Sequence, residues 1–223
     1  GTTQVKIDTN IVELTKEGSA LRVSYEIVDE KMMGAQNLEI MLNFEAEDAL
    51  KDPQILKAIE KFEQRLIQKY PEYVIKTFSL SRILKDSNRV MHSGDQSFYT
   101  IPDDKKLTQQ LMYLFSVANP EDRLLLVNDA FSKTHITIQL HNKGSYEYTE
   151  FFSNVKADID QIFSPLRQQY PNLEINTTGN LALMMSLTQT MAESQFRSFS
   201  FAIVIISFMM IITLGSIQGG LIS

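Results

Sequence analysis

Apolar residues recur at helical spacing in two stretches of the chain. Ile55, Ile59, Phe62, Leu66 and Tyr70 mark one such face, and Phe152, Val155, Ile159, Ile162, Leu166 and Tyr170 mark the other. An apolar, β-prone run precedes each, Leu38 to Phe44 before the first and Thr134 to His141 before the second. A Tyr-Pro pair closes each helix. Lys69 to Thr77 lines up with Gln169 to Thr177, with Tyr-Pro, Ile and Thr in step at an offset of 100 (170 − 70). The pattern therefore predicts two copies of a strand-helix-strand unit, over about 36–79 and 133–178. Asp52 and Pro53 predict the first helix start, because an aspartate can bond orphan amides and proline needs no amide partner at the first helical position. Pro165 falls inside the second pattern and predicts a kink or break near Phe163-Ser164. Two such units pack as one sheet with helices on one face, so the fold class is α+β, on the ferredoxin-like, split βαβ plan.

Between and around the copies the patterns are shorter. Ser19 to Met33 reads as a helix carrying Leu21, Tyr25, Val28 and Met32 inward and ending at Gly34. Lys106 to Val117 reads as another, with Leu107, Leu111, Leu114 and Phe115 as its apolar face, and the polar run Asp86 to Asp104 reads as a long loop. After Thr178-Gly179-Asn180 a helical pattern resumes and continues through Gln195 into residues 198–223, which contain no charged side chain. Ser198 to Ile217 holds eleven Ile, Leu, Val and Phe residues. Its length suits the roughly 30 Å hydrocarbon layer at about 1.5 Å per residue. Ser200, Ser207, Thr213 and Ser216 can bond their hydroxyls to the helix backbone. The expected organisation is a folded domain over 1–197 and a transmembrane helix over 198–223.

Composition narrows the function classes. The 223 residues carry 21 basic and 27 acidic side chains, a net charge of −6, and no basic run, which disfavours nucleic acid as a partner. With no cysteine there can be no disulfide, Cys-zinc site or thiol catalysis. The chain begins at Gly1 without a signal peptide pattern and ends at Leu221-Ile222-Ser223 without a charged flank. It reads as a piece of a longer membrane protein, with 1–197 as a large extracytoplasmic loop between two spans.

Candidate chemistry is sparse. His135 and His141 are expected on one solvated strand face with Thr137 and Gln139, about 20 Å apart and too far for one metal; His92 stands alone. Asp103-Asp104 reads as a helix N-terminal cluster, and Asp158 and Asp160 as the solvent side of a helix. Ser93-Gly94-Asp95 reads as a turn. Met32, Met33, Met184, Met185 and Met191 read as ordinary packing. Nucleophile-elbow, Walker A and Rossmann signatures are absent from the sequence. The expectation is a protein that is not an enzyme, with no catalytic, cofactor-binding or metal-binding residues and no cofactor, and with substrate-binding residues that the sequence does not assign.

Several segments carry a family resemblance in their order: Gly34 before Leu38-Glu39-Ile40-Met41-Leu42, then Leu50-Lys51-Asp52-Pro53, Thr77-Phe78-Ser79-Leu80, the second unit, and Thr178-Gly179 leading into the long helix. This order resembles the extracytoplasmic loop between the first two membrane helices of resistance-nodulation-division superfamily exporters, most of all the MMPL-type lipid and hydrophobe branch. The resemblance implies a porter domain outside the inner (cytoplasmic) membrane. It also implies proton-driven export of hydrophobic or amphiphilic, lipid-like cargo. Implied partners are the bilayer, the cargo and the remaining membrane helices, with a homo-oligomer allowed. The coupling carboxylates of such exporters lie in a later membrane helix. An extracytoplasmic sensor domain of a membrane signalling protein, and a secretion-accessory subunit of the same superfamily, are the alternatives. A sensor would continue beyond Ser223 into a cytoplasmic linker and signalling helices, and an exporter into further membrane spans.

Overall fold

The computed structural model describes Ser19 and residues 36–214. Apart from Ser19 itself, the helix expected over Ser19 to Met33 lies outside the described residues, as does the end of the apolar stretch at Ile217.

Four strands, β1 (Gln36–Asn43), β2 (Val74–Phe78), β3 (Lys133–Leu140) and β4 (Glu174–Thr178), form one antiparallel sheet in the order β2-β3-β1-β4. Helix α1 (Pro53–Lys69) connects β1 to β2, and α5 (Ser145–Gln169) connects β3 to β4. Because each neighbouring pair is antiparallel, β1 runs parallel to β2 with β3 between them, and β3 runs parallel to β4 with β1 between them. Each unit thus completes the sheet of the other.

Strand alternation explains which face is covered. Leu38, Ile40 and Leu42 of β1 and Ile136, Ile138 and Leu140 of β3 are buried, and the residues between them are not. Onto this face α1 turns Ile55, Leu56, Ile59, Phe62 and Leu66, and α5 turns Tyr148, Phe151, Val155, Ile159, Ile162, Phe163 and Leu166. Phe62 meets Phe163 edge to face at 5.7 Å between ring centroids. Asp52 caps α1 as expected, its carboxylate accepting the Gln54 amide at 2.9 Å ahead of Pro53. Tyr70 and Tyr170 occupy the same position in the two copies, each a C-cap whose N–H donates to Leu66 O at 3.0 Å and to Leu166 O at 2.7 Å, respectively.

Pro165 does not interrupt α5, which runs unbroken from Ser145 to Gln169. Proline leaves the Gln161 carbonyl without its backbone donor, and the Ser164 hydroxyl supplies one at 3.3 Å. Phe152, expected inward, is only half-buried, while Phe151 takes the core position.

The expected Asp86 to Asp104 loop is partly helix. Helix α2 (Leu80–Met91) runs through Asp86, and the loop proper follows it. The polar reading failed because Asn88 is a core residue here: its side-chain amide donates to Phe98 O and Thr100 O, both at 3.0 Å. Ser93 and Gly94 then turn with φ of 58° and 85°, and Asp95 accepts the Ser97 amide at 2.9 Å. Helix α3 (Lys105–Ala118) starts at its Asp104 cap. Its buried stripe is Thr108, Leu111, Met112 and Phe115, with Leu114 turned outward. A further helix, α4 (Pro120–Leu126), follows directly.

Helix α6 (Gly179–Leu214) is the longest element, about 54 Å at 1.5 Å per residue. Gly179 has φ of +92°, and a Cβ there would lie 3.0 Å from Asn37 O and 3.1 Å from Glu39 N of β1. Only glycine fits both demands. Asn37 Oδ1 accepts the Asn180 amide at 3.0 Å, and Leu181 and Met184 bury against the domain. Beyond them most of the described side chains stand exposed, including Phe199, Ile203 and Ile206, and the helix is long and apolar enough to cross a membrane. Within this apolar part the Thr213 hydroxyl donates to Met209 O, which satisfies it within the helix itself.

Candidate functional site

The face of the sheet opposite α1 and α5 carries the alternate, mostly polar residues. Asn37, Glu39 and Met41 come from β1, Lys76 and Phe78 from β2, and His135, Thr137 and Gln139 from β3. Glu39 organises the centre: it accepts from the Thr137 hydroxyl at 3.0 Å and from the Asn37 amide at 3.2 Å, and it lies 3.9 Å from His135 Nε2. His141 falls just past β3, exposed, and donates its backbone N–H to Tyr73 O at 2.9 Å. His92 stacks on Phe98 at 3.6 Å. Among the described residues no group of three or more His, Asp or Glu is placed to hold a metal ion.

Beside this face lies an open cleft of ≈ 530 Å³. Helix α2 contributes Ile83, Asp86, Ser87 and Val90, which share one face by their three- and four-residue spacing. Helix α3 contributes Phe115, α4 contributes Leu125 and Leu126, and the sheet contributes Phe78 and His135. A second concavity of ≈ 390 Å³ is lined by Lys76, Thr77, Phe78, Arg82, Thr137 and Gln139. Phe78 borders both. Neither was visible as a site in the sequence; the usable signal was an excess of apolar residues, Val90, Leu124 and Leu125, on helices whose core positions were already filled.

On the covered side of the sheet, polar groups brace the two repeat helices. Asp158 was expected on the solvent side of its helix, yet it is buried and binds Tyr70 at 2.6 Å, Lys69 at 3.0 Å and Arg65 at 3.1 Å. Its position follows from spacing: three residues after Val155 and four before Ile162, it shares their face, and α1 presents two cations there. Asp160 remains exposed beside Arg167 at 3.2 Å. Burial pushes the Asp158 carboxyl up, but bonds from Tyr70, Lys69 and Arg65 outweigh it and hold the group below its usual range. The Tyr70 hydroxyl is pushed up by burial and by its bond to Asp158.

A lowered folded-state pKa contributes stability that is present above the unfolded value and is lost as pH falls through the folded one. Asp158→Asn is therefore expected to cost about 1.5 to 3 kcal/mol at neutral pH, the range for hydrogen bonds to a charged group. The difference from wild type should shrink below about pH 4, where the unfolded aspartate protonates. Denaturant midpoints at neutral and acidic pH check both statements, and an equal difference at both would contradict them.

Glu63 forms a second buried cluster, accepting from Ser79 at 2.8 Å and Ser81 at 2.7 Å at the start of α2. An acidic group there complements the helix N-terminus and fixes α2 against α1. Both clusters hold helices in place, whereas the concavities around Phe78 are open to a ligand. No protein-family model matches the chain, and no characterised protein matches it.

Proposed function

We propose that the chain supplies the external porter portion of a proton-driven exporter of hydrophobic or amphiphilic molecules. In this reading the sheet and its helices are a ferredoxin-like, split βαβ porter domain outside the inner membrane, and α6 continues into the bilayer. The carrying observation is the unbroken passage at Gly179. A helix seated on β1 by backbone contact, and continuous into a membrane-length apolar stretch, moves with the sheet as one lever.

Two further features support the reading. The described domain offers apolar and basic concavities suited to an amphiphile. The apolar stretch from Phe199 to Leu214 carries no ionisable side chain, so proton relay falls to carboxylates in other membrane helices, where such costly groups mark coupling sites. A sensor domain would use the same lever to signal instead of to transport.

The intact protein in proteoliposomes should move an amphiphilic fluorescent probe when a proton gradient is imposed and stop when the gradient is collapsed. Probe movement that ignores the gradient, or no movement at all, would count against the exporter.

A further inference from the structure

Phe78 ends the edge strand β2 and leaves 40% of its surface exposed between two concavities of opposite character. On one side the cleft is walled by Ile83, Val90 and Leu125 over a floor of Phe115 and Leu126. Val90 and Leu125 are 68% and 73% exposed, more apolar surface than a solvated helix pair needs to show. On the other side Arg82 and Lys76 bring two positive charges to a pocket that also holds Thr137 and Gln139.

Among the described residues Arg82 bonds only to Thr77 O, at 3.3 Å, which leaves most of a guanidinium's five donors open. Among the described acids near the two concavities, Asp86 binds Arg89 at 2.7 Å, Asp122 sits on the α4 side of the cleft, and Glu39 accepts from Asn37 and Thr137.

We propose that the two concavities are one binding site for a single-chain anionic amphiphile. The tail lies in the α2–α4 cleft, Phe78 packs against the first carbons of the chain, and the acidic headgroup meets Arg82 and Lys76. Volumes of ≈ 530 and ≈ 390 Å³ suit one chain and a small headgroup, being within the roughly 300 to 1,000 Å³ of small-molecule sites. A cationic amphiphile would place its charge against two like charges. The site lies at the β2 edge of the sheet, away from the β1–β4 side on which α6 is seated, so a ligand can occupy it without displacing the lever. The assignment rests on the exporter reading for the role of the ligand as cargo, while binding itself is measured without transport.

The test titrates the intact protein, in phosphatidylcholine nanodiscs, with dansyl-labelled undecanoate and with the matching undecanol, subtracting empty discs. The undecanoate should bind saturably and about tenfold tighter than the alcohol, since a charge-assisted pair adds to the same tail contacts. Lys76→Gln with Arg82→Gln should erase that difference and leave alcohol binding as in wild type. Val90→Glu with Leu125→Glu, both at exposed positions, should weaken both probes. Equal affinity for the two probes in wild type, or undecanoate binding untouched by either pair of substitutions, overturns the site. Proton-driven movement of undecanoate that survives all four substitutions also overturns it while sparing the exporter reading. Binding as described without proton-driven movement does the reverse.

Discussion

Phe62→Ala is expected to lower unfolding stability by about 3 to 5 kcal/mol, the range for emptying an aromatic site in a packed core. Phe62 is fully buried on the inner face of α1, and its ring edge meets Phe163 of α5 across the repeat interface. The substitution opens a void where the two copies touch, so neighbours on both helices lose contacts together. Ile67 on the same helix, 47% exposed, provides the control. Ile67→Ala should stay within about 0.5 kcal/mol, as surface changes do. Circular dichroism during denaturation of the intact chain in detergent reads both variants, and similar midpoints for Phe62→Ala and wild type would show that the interface between the copies carries little stability.

Ile206→Lys is expected to impair membrane insertion. Ile206 lies in the middle of the uncharged stretch of α6, exposed along with its neighbours, and a lysine there costs about 2.5 to 3.5 kcal/mol at a bilayer centre. Leu187→Lys, on the same helix but ahead of the apolar stretch, should leave insertion as it was. A glycosylation-mapping assay reports the inserted fraction. An unchanged fraction for Ile206→Lys would mean that the helix does not span.

The sequence made the repeated framework legible because its signals were local and came twice. Asp52-Pro53 starts a helix by chemistry that needs no tertiary partner, and Tyr-Pro stops both α1 and α5 at the same relative position. What escaped depended on contacts from elsewhere. Asn88 reads as a loop residue until Phe98 and Thr100 supply carbonyls for its amide. Asp158 reads as solvated until Arg65, Lys69 and Tyr70 surround it. Pro165 reads as a break until the Ser164 hydroxyl takes over the orphan carbonyl. The candidate site was the least legible part, since Phe78, Arg82, Val90 and Leu125 belong to three elements that only the fold brings together.

The lever proposed for α6 needs an unbroken helix between the sheet and the apolar stretch. The most direct measurement is therefore proton-gradient-driven movement of an amphiphilic probe by the intact protein carrying two glycines inserted between Ser194 and Gln195, beyond the last buried turn of α6 and before its apolar stretch. The insertion leaves the seat at Gly179 and the apolar stretch intact while allowing the helix to bend between them. Insertion into the membrane and probe binding should match wild type, and gradient-driven movement should be lost. Movement at the wild-type rate would contradict the account, because the domain and the span would then work without a rigid connection.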